Sequence, residues 1–110
     1  MTAGYDVRLT AAAEQDLIDI VQYARTHVSP SAAASLLDTL LACIETLERQ
    51  PGRGAIPPEL QGVGLADYRQ IRSGRYRLIY RFRESAVMVM VVADHRRDMQ
   101  ALLERRLFGA

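Results

Sequence analysis

No lysine and only one cysteine occur in this chain of 110 residues, and no uninterrupted apolar run exceeds eight residues. The single cysteine, Cys43, excludes an internal disulfide framework and a cysteine-based zinc cluster. The longest apolar run, residues 86–93, is too short for the ~20 residues that a membrane-spanning helix needs. The N-terminus carries neither the basic region nor the apolar segment of a signal peptide. We therefore expect a cytoplasmic protein that has no contact with a membrane.

The short motifs of several large enzyme classes are also missing. The dinucleotide-binding pattern GxGxxG, the P-loop and the nucleophile pattern GxSxG do not occur. The two histidines, His27 and His95, lie far apart in the chain and show no metal-ligand spacing. The chain is therefore predicted to need neither a metal nor another cofactor, and nucleotide, flavin and serine-hydrolase chemistry lose their main support.

Length and composition are those of one folded domain, to which we assign residues 1–110. The net charge of +1 conceals an asymmetry between the two halves of the chain. Residues 1–50 hold three arginines and seven acidic residues, whereas residues 51–110 hold eleven arginines and six acidic residues. Coding bias in a GC-rich genome explains the exclusive use of arginine, but the planar guanidinium also suits carboxylate and phosphate partners.

The first half of the chain is predicted to form a strand and a helical hairpin. Residues 5–9 alternate between apolar and polar, which indicates a short strand with one buried face. Apolar residues then recur three and four positions apart over residues 13–28, as in an amphipathic helix. Ser29 and Pro30 form an N-cap and a first helical position, so a second helix follows and ends before Pro51. The short link between the helices favours an antiparallel pair.

The second half is predicted to form a sheet and a last helix. A long loop, residues 51–65, precedes three alternating segments at 67–72, 75–82 and 87–93, and short turns between them favour an antiparallel meander. The last of these strands is apolar on both faces and is therefore placed inside the sheet, beside the first strand. A short amphipathic helix ends the chain. We predict an α+β two-layer fold: a small antiparallel sheet in the order strand-helix-helix-strand-strand-strand, with the helical hairpin on one face and a short C-terminal helix.

The third predicted strand concentrates arginine on one of its two faces. Because side chains alternate along a strand, its aromatic and aliphatic residues are expected to face the helices and its guanidiniums to face away from them. Such a face is either solvated and screened by salt or binds an acidic protein segment or a nucleic-acid phosphate. We call these four residues the arginine stripe: Arg75, Arg77, Arg81 and Arg83.

Three segments together resemble the ParE/RelE superfamily of bacterial type II toxins. They are Ala-Glu-Gln-Asp-Leu-Ile-Asp-Ile at 13–20, Tyr-Arg-Leu-Ile-Tyr-Arg at 76–81, and His95 at the end of the last strand. The resemblance covers residues 5–107 and implies a sheet with a packed helical hairpin, which matches the layout predicted from the residues.

The resemblance leaves two activities open. RelE- and YoeB-like members cleave mRNA on the ribosome, and the latter use a loop Glu, a strand Arg and a C-terminal His, which Glu59, Arg77 and His95 match in position. These residues would supply the base, cation and acid of the reaction. His95 itself is either such an acid or a structural residue. ParE-like members instead poison DNA gyrase.

The C-terminal segment favours the ParE-like branch. His95 is followed by further residues and a leucine-rich helix rather than by the terminal His-Tyr pair of the nucleases, and the lysines of RelE-like members are absent. We expect a gyrase poison with no catalytic step, the alternatives being a ribosome-dependent mRNA endoribonuclease or an inactive toxin-like binder. The resemblance implies a ParD-like antitoxin with an acidic, amphipathic segment, for which the arginine stripe and the exposed apolar groove of the helical hairpin are the expected contact surfaces. Arg96 and Arg97 are expected to contact the target, and no sequence-specific nucleic-acid binding is expected.

Overall fold

The chain begins with a short strand that leads directly into a long helix. The computed structural model describes residues 4–109, and its first strand, β1, is Asp6–Leu9. Helix α1 is Ala11–His27. It starts at this point because the hydroxyl of Thr10 accepts a hydrogen bond from the N–H of Ala13 at 3.0 Å, which satisfies one of the free donors of the first turn.

The second helix begins and ends near the predicted positions. Helix α2 is Pro30–Glu45, and a 3₁₀ turn, Thr46–Glu48, extends it. Ser29 caps the helix by accepting a hydrogen bond from the N–H of Ala32 at 3.0 Å, and Pro30 occupies the first helical position. Helices α1 and α2 pack against each other, which confirms the predicted hairpin.

Helix α2 and its extension are apolar along much of their surface. The run Pro30–Glu48 has a mean hydropathy of 1.2 and the length of a membrane span, a test that core helices of globular proteins also pass. Here Ala33, Leu40 and Ile44 are buried in the core of the domain, and only about a fifth of the run is buried in all. An apolar surface therefore remains on the outer side of the hairpin.

Four strands form one sheet, with the order β1-β4-β3-β2. The later strands are β2 (Tyr68–Ser73), β3 (Tyr76–Arg83) and β4 (Ala86–Asp94). The α+β fold with the helical hairpin on one face of the sheet and the interior position of β4 are as predicted. One detail differs: β1 pairs with β4 in parallel, so the sheet is mixed rather than wholly antiparallel. The long connection through the helical hairpin permits this pairing, which a short turn cannot make.

The sheet has an apolar core on each face. Helices α1 and α2 cover the first face, and the predicted orientation of β3 is confirmed because Leu78 and Tyr80 pack there. The second face is covered by part of the 51–65 loop and by the last helix, α3 (Met99–Phe108). The buried residues of this second core are Leu60, Tyr68, Ile79, Val91, Ala93, Met99, Leu102 and Leu103.

Strand β4 contains one extra residue relative to β3. Ile79 lies opposite Val91, but the next residue of β3, Tyr80, lies opposite Val89, so Met90 is unmatched and forms a bulge. Strand β1 pairs with β4 only as far as Val89. Beyond that point, the backbone of β4 on the β1 side needs hydrogen-bond partners from elsewhere.

Two charged side chains supply those partners. The carboxylate of Asp16, on α1, accepts the N–H of Val92 at 2.9 Å, and the guanidinium of Arg106, on α3, donates to the carbonyl of Met90 at 2.8 Å. Asp16 and Arg106 also bind each other through two hydrogen bonds of 2.7 and 3.0 Å. We call this pair the bulge clamp, and it joins α1, β4 and α3.

Removing either side chain of the bulge clamp is expected to lower the free energy of unfolding by ~1–3 kcal/mol, because each change leaves a half-buried charge and a backbone group without partners. Urea unfolding of Asp16→Ala, Arg106→Ala and the double variant measures this cost and the coupling between the two residues. Arg105→Ala is the control, since Arg105 is exposed on the same helix. Equal costs for Arg105→Ala and Arg106→Ala would contradict the clamp.

Candidate functional site

The 51–65 loop is fixed against the sheet by a buried tyrosine. The hydroxyl of Tyr80 donates to the carbonyl of Pro51 and accepts the N–H of Gly54 at 3.2 Å. Burial raises the pKa of Tyr80, so the phenol keeps the proton that it donates. A β-carbon at Gly54 would lie 2.6 Å from the carbonyl oxygen of Gln70, which explains the glycine. Ala55 also forms a β-bridge with Gln70 along the edge of β2.

The anchored loop brings Glu59 onto the second face of the sheet. Both carboxylate oxygens of Glu59 accept hydrogen bonds from the guanidinium of Arg77, at 2.7 and 2.9 Å, and the Nε of Arg77 donates to Gln70 at 2.6 Å. The Arg77 side chain is 11% exposed and that of Glu59 is 23% exposed. The hydrogen bonds from Arg77 hold the pKa of Glu59 below its usual range, although burial opposes them. Glu59 is therefore a carboxylate whose two oxygens are both engaged.

The arginine stripe is not the continuous exposed surface expected from alternation. The expectation is wrong for Arg77, because the 51–65 loop covers it and Glu59 pairs with it. Two other members are exposed but held by carboxylates: Arg75 by Asp94 and Arg83 by Asp67. Alternation correctly placed Arg77 away from the helical hairpin, but it carries no information on which loop covers that face.

Of the three residues that match the nuclease pattern, only two are joined by hydrogen bonds among residues 4–109. Glu59 and Arg77 form the ion pair, whereas the side chain of His95 is exposed and has no hydrogen bond or ion pair to either of them within residues 4–109. The backbone N–H of His95 donates to the carbonyl of Arg75 at 2.7 Å, which continues the pairing of β3 with β4. The backbone of His95 thus has a structural role.

A groove of about 830 Å³ lies where the α1–α2 hairpin meets the end of the sheet. Its walls come from the second half of α1, the first half of α2, the β2–β3 turn and the segment after β4. We call it the end groove. Apolar wall residues include Ile20, Tyr23, Val28, Leu36 and Tyr76. A second, smaller groove of about 500 Å³ lies between α1 and α2 and includes Leu17, Ile18, Val21 and Leu37.

Asp94 organises the charged rim of the end groove. It accepts hydrogen bonds from the backbone N–H of Arg96 at 2.8 Å, from the Nε of Arg96 at 3.1 Å and from the Nε of Arg75 at 2.5 Å. These bonds, that of the Arg96 N–H foremost, hold the pKa of Asp94 well below its usual range. Arg97 lines the same rim. One carboxylate therefore positions two guanidiniums, and the rim keeps a positive excess.

The family model of the "ParE toxin of type II toxin-antitoxin system, parDE" matches residues 7–99. The chain belongs to the ParE toxin family. Its fold is similar to that of a chromosomal ParDE toxin–antitoxin system from P. aeruginosa, with a TM-score of 0.69, 15% identity, and coverage of 84% of this chain and 98% of that one. It also resembles the RelBE2 toxin–antitoxin complex from Mycobacterium tuberculosis, with a TM-score of 0.55, 26% identity, and coverage of 86% and 94%. No curated protein matches the chain.

In this ParE-family toxin, the sequence did not indicate the two carboxylates that organise the bulge clamp and the charged rim of the end groove. Asp16 lies within the quoted 13–20 segment, and Asp94 precedes His95, but neither spacing nor periodicity indicates their partners. The sequence predicts an exposed apolar groove on the helical hairpin, and the structure adds the residues that line it, among them Tyr23 and Val28, which are 66% and 71% exposed.

Replacing Glu59 by Gln is expected to destabilise the toxin by ~1–3 kcal/mol at neutral pH, because Arg77 then loses a charged partner in a half-buried position. The pKa of Glu59 in the folded state is lower than its ordinary value of 4.5, so the stabilisation is present above that value. It is lost as the pH falls through the folded-state pKa. Urea unfolding between about pH 3 and pH 7, a range that covers the titration of an ordinary Glu side chain, measures the difference in unfolding free energy between the unmodified toxin and Glu59→Gln.

The matched control is Glu104→Gln, since Glu104 is exposed on α3. We expect the unfolding free energy of the control to follow that of the unmodified toxin at every pH. A difference for Glu59→Gln that stays constant down to the acid end would argue against a stabilising ion pair.

Proposed function

We propose that this ParE-family toxin arrests bacterial growth by poisoning DNA gyrase through binding, without a catalytic step, and that a ParD-like antitoxin neutralises it. The observation that carries the proposal is the Glu59–Arg77 ion pair. A ribonuclease needs a free base and a cation aimed at the phosphate. In this toxin both oxygens of Glu59 are bound by Arg77, and within residues 4–109 the side chain of His95 forms no hydrogen bond or ion pair with either of them. The residues that match the nuclease pattern are thus better suited to holding the loop.

A poison that acts by binding needs only a difference in affinity between two states of its target. If the toxin binds the cleaved-DNA state of gyrase more tightly than the resealed state, it increases the population of the former. The surface that we propose for this contact comprises Arg96, Arg97 and the adjoining helix α3. Arg96 and Arg97 are exposed and lie in the segment between β4 and α3, while the bulge clamp holds α3 in place.

The exposed members of the arginine stripe are proposed to add contacts to acidic residues of the antitoxin. Arg75 and Arg83 already have carboxylate partners on the toxin itself, and Arg77 is covered. Each exposed arginine–carboxylate pair contributes only ~0.2–1 kcal/mol. The stripe therefore contributes a small part of the affinity for the antitoxin. Tight binding requires an apolar contact surface in addition.

Expression of the toxin alone in bacteria is expected to arrest growth through DNA damage. Cells should form filaments and induce the SOS response, and purified gyrase should accumulate cleaved DNA when the toxin is added. A rapid arrest of translation with mRNA cut at a fixed position within codons, and no SOS response, would instead support the ribonuclease.

Replacing His95 by Ala is expected to leave toxicity and protein stability nearly unchanged, because its exposed side chain has no partner among the described residues. A general acid at this position would contribute ~10²–10⁴-fold to the rate of RNA cleavage. Growth assays of His95→Ala, with circular dichroism as the check on folding, distinguish the two roles. A well-folded variant without toxicity would count against the binding mechanism.

The alternative is a ribosome-dependent mRNA endoribonuclease of the RelE/YoeB type. One observation favours it, namely that Glu59 and Arg77, far apart in the chain, lie within 2.7 Å of each other on one face. Under this alternative, substrate phosphate would have to displace Glu59 from Arg77. The expression experiment described above tests this alternative, because it measures whether translation stops and whether mRNA is cut.

A further inference from the structure

The second face of the sheet is open at the end that carries the β3–β4 turn. The core under α3 and the 51–65 loop includes Tyr68, Ile79 and Val91. Closer to the turn, Arg81 on β3 and Met88 on β4 belong to neither of the two cores that residues 4–109 form, and both are half-buried. This part of the sheet surface therefore faces solvent in the described part of the chain.

Three side chains form a row across three strands on this open surface. Arg8 lies opposite Met88, and Met88 lies opposite Arg81. The two chain neighbours of each residue pack in or against the first core, under the helical hairpin. Because side chains alternate along a strand, all three residues face the other way. We call Arg8, Met88 and Arg81 the open row, and its two arginines are about 10 Å apart at their Cα atoms, since strands lie ~4.8 Å apart.

The arginines of the open row can accept an anionic partner. The other three members of the arginine stripe each bind a carboxylate, whereas the side chain of Arg81 forms no hydrogen bond or ion pair within residues 4–109. Partial burial removes some of its water without supplying a carboxylate, so an anion would supply the missing partner. Arg8 is paired with Asp6 at 2.9 Å, but their side chains are 71% and 60% exposed. So exposed a pair contributes little, and Arg8 can exchange Asp6 for another anion.

The shape and chemistry of the open row favour phosphates over an acidic peptide. Both grooves described above lie at the helical hairpin, and the row itself offers one apolar side chain, Met88, which is already half-buried. A peptide bound here would lack the apolar anchors that dominate protein–protein affinity. Binding to nucleic-acid phosphates needs no such anchor, because release of counterions drives it. Each strand of B-DNA carries one charge per ~3.4 Å of axis, so the two guanidiniums can reach different phosphates of one strand.

We propose that the open row contacts the phosphate backbone of duplex DNA through Arg8 and Arg81, without reading the base sequence. This inference rests on the proposed function, because gyrase holds the DNA that the toxin would touch. Such a contact gives the toxin a higher affinity for gyrase with DNA than for gyrase alone, and a difference of this kind shifts the population of target states. Arg96 and Arg97 follow Asp94, which pairs with the other end of β3, so they stay available for the protein.

The test is a fluorescence-anisotropy titration of a labelled DNA duplex of mixed sequence with the toxin, at salt concentrations from about 50 to 200 mM. Arg8→Gln with Arg81→Gln is expected to weaken binding and to reduce the slope of log K against log salt by about 2, since each phosphate contact contributes ~0.9. A duplex of unrelated sequence should respond equally, because phosphates carry no sequence information. The matched control is Arg25→Gln with Arg49→Gln, which removes the same charge from exposed positions on and just after the helical hairpin.

Several outcomes of the titration would overturn the open row as a DNA contact. These are no binding by the unmodified toxin at the lowest salt concentration, an equal change of slope for both pairs of variants, and an effect confined to one duplex sequence. Tighter binding to a single-stranded RNA of the same length would assign the row to RNA and would also overturn the proposal. Circular dichroism checks that the variants fold, and Arg8→Gln alone, at an exposed position, should reduce the slope by about 1.

A gyrase cleavage assay with the same variants distinguishes this inference from the proposed function. We expect the open-row variant to cause less DNA cleavage than the unmodified toxin, and the control pair to cause as much. If gyrase is poisoned equally by all three proteins, the open row is wrong and the proposed function stands. If the toxin binds DNA through the open row but gyrase accumulates no cleaved DNA, the proposed target is wrong and the DNA contact stands.

Discussion

The end of β1 pairing at Val89, beside the bulge at Met90, creates a requirement that the rest of the fold has to meet. Strand β1 stops pairing at Val89, so the carbonyl of Met90 and the N–H of Val92 have no strand beside them. Unpaired backbone groups in such a position cost about as much as a lost hydrogen bond. Asp16 and Arg106 satisfy both groups and neutralise each other. The first helix, the central strand and the last helix are thereby fixed in one arrangement, on which the end groove and helix α3 both depend.

Arginine serves two different purposes in this protein, and burial separates them. Arg77 and Arg106 are mostly buried, each binds a carboxylate through two hydrogen bonds, and each joins segments distant in the chain. Arg96 and Arg97 are exposed on the rim of a groove. A buried guanidinium that lost its partner would be costly, so the fold depends on these two arginines keeping their carboxylates. The second pair can exchange water for the carboxylates of a partner.

Periodicity predicted the elements of this fold well because each element buries one face. The change from a spacing of three and four to strict alternation marks where helices give way to strands, and Ser29 with Pro30 marks the second helix start. The parallel pairing of β1 was missed, because alternation is identical in parallel and antiparallel strands. The bulge at Met90 was missed for a related reason, since both neighbours of that residue are apolar and no alternation is broken.

The candidate site was less predictable because its contacts connect residues that are distant in the chain. The orientation of Arg77 followed from alternation, but its partner depends on the path of a loop that Tyr80 anchors from the opposite face of the sheet. The same loop turns an expected exposed stripe into a covered ion pair. The pair that matches a nuclease is used within the fold, whereas Arg96 and Arg97 stay exposed at the rim of the end groove. Under the proposed function, the partners of this toxin bind exposed arginines that its own core does not need.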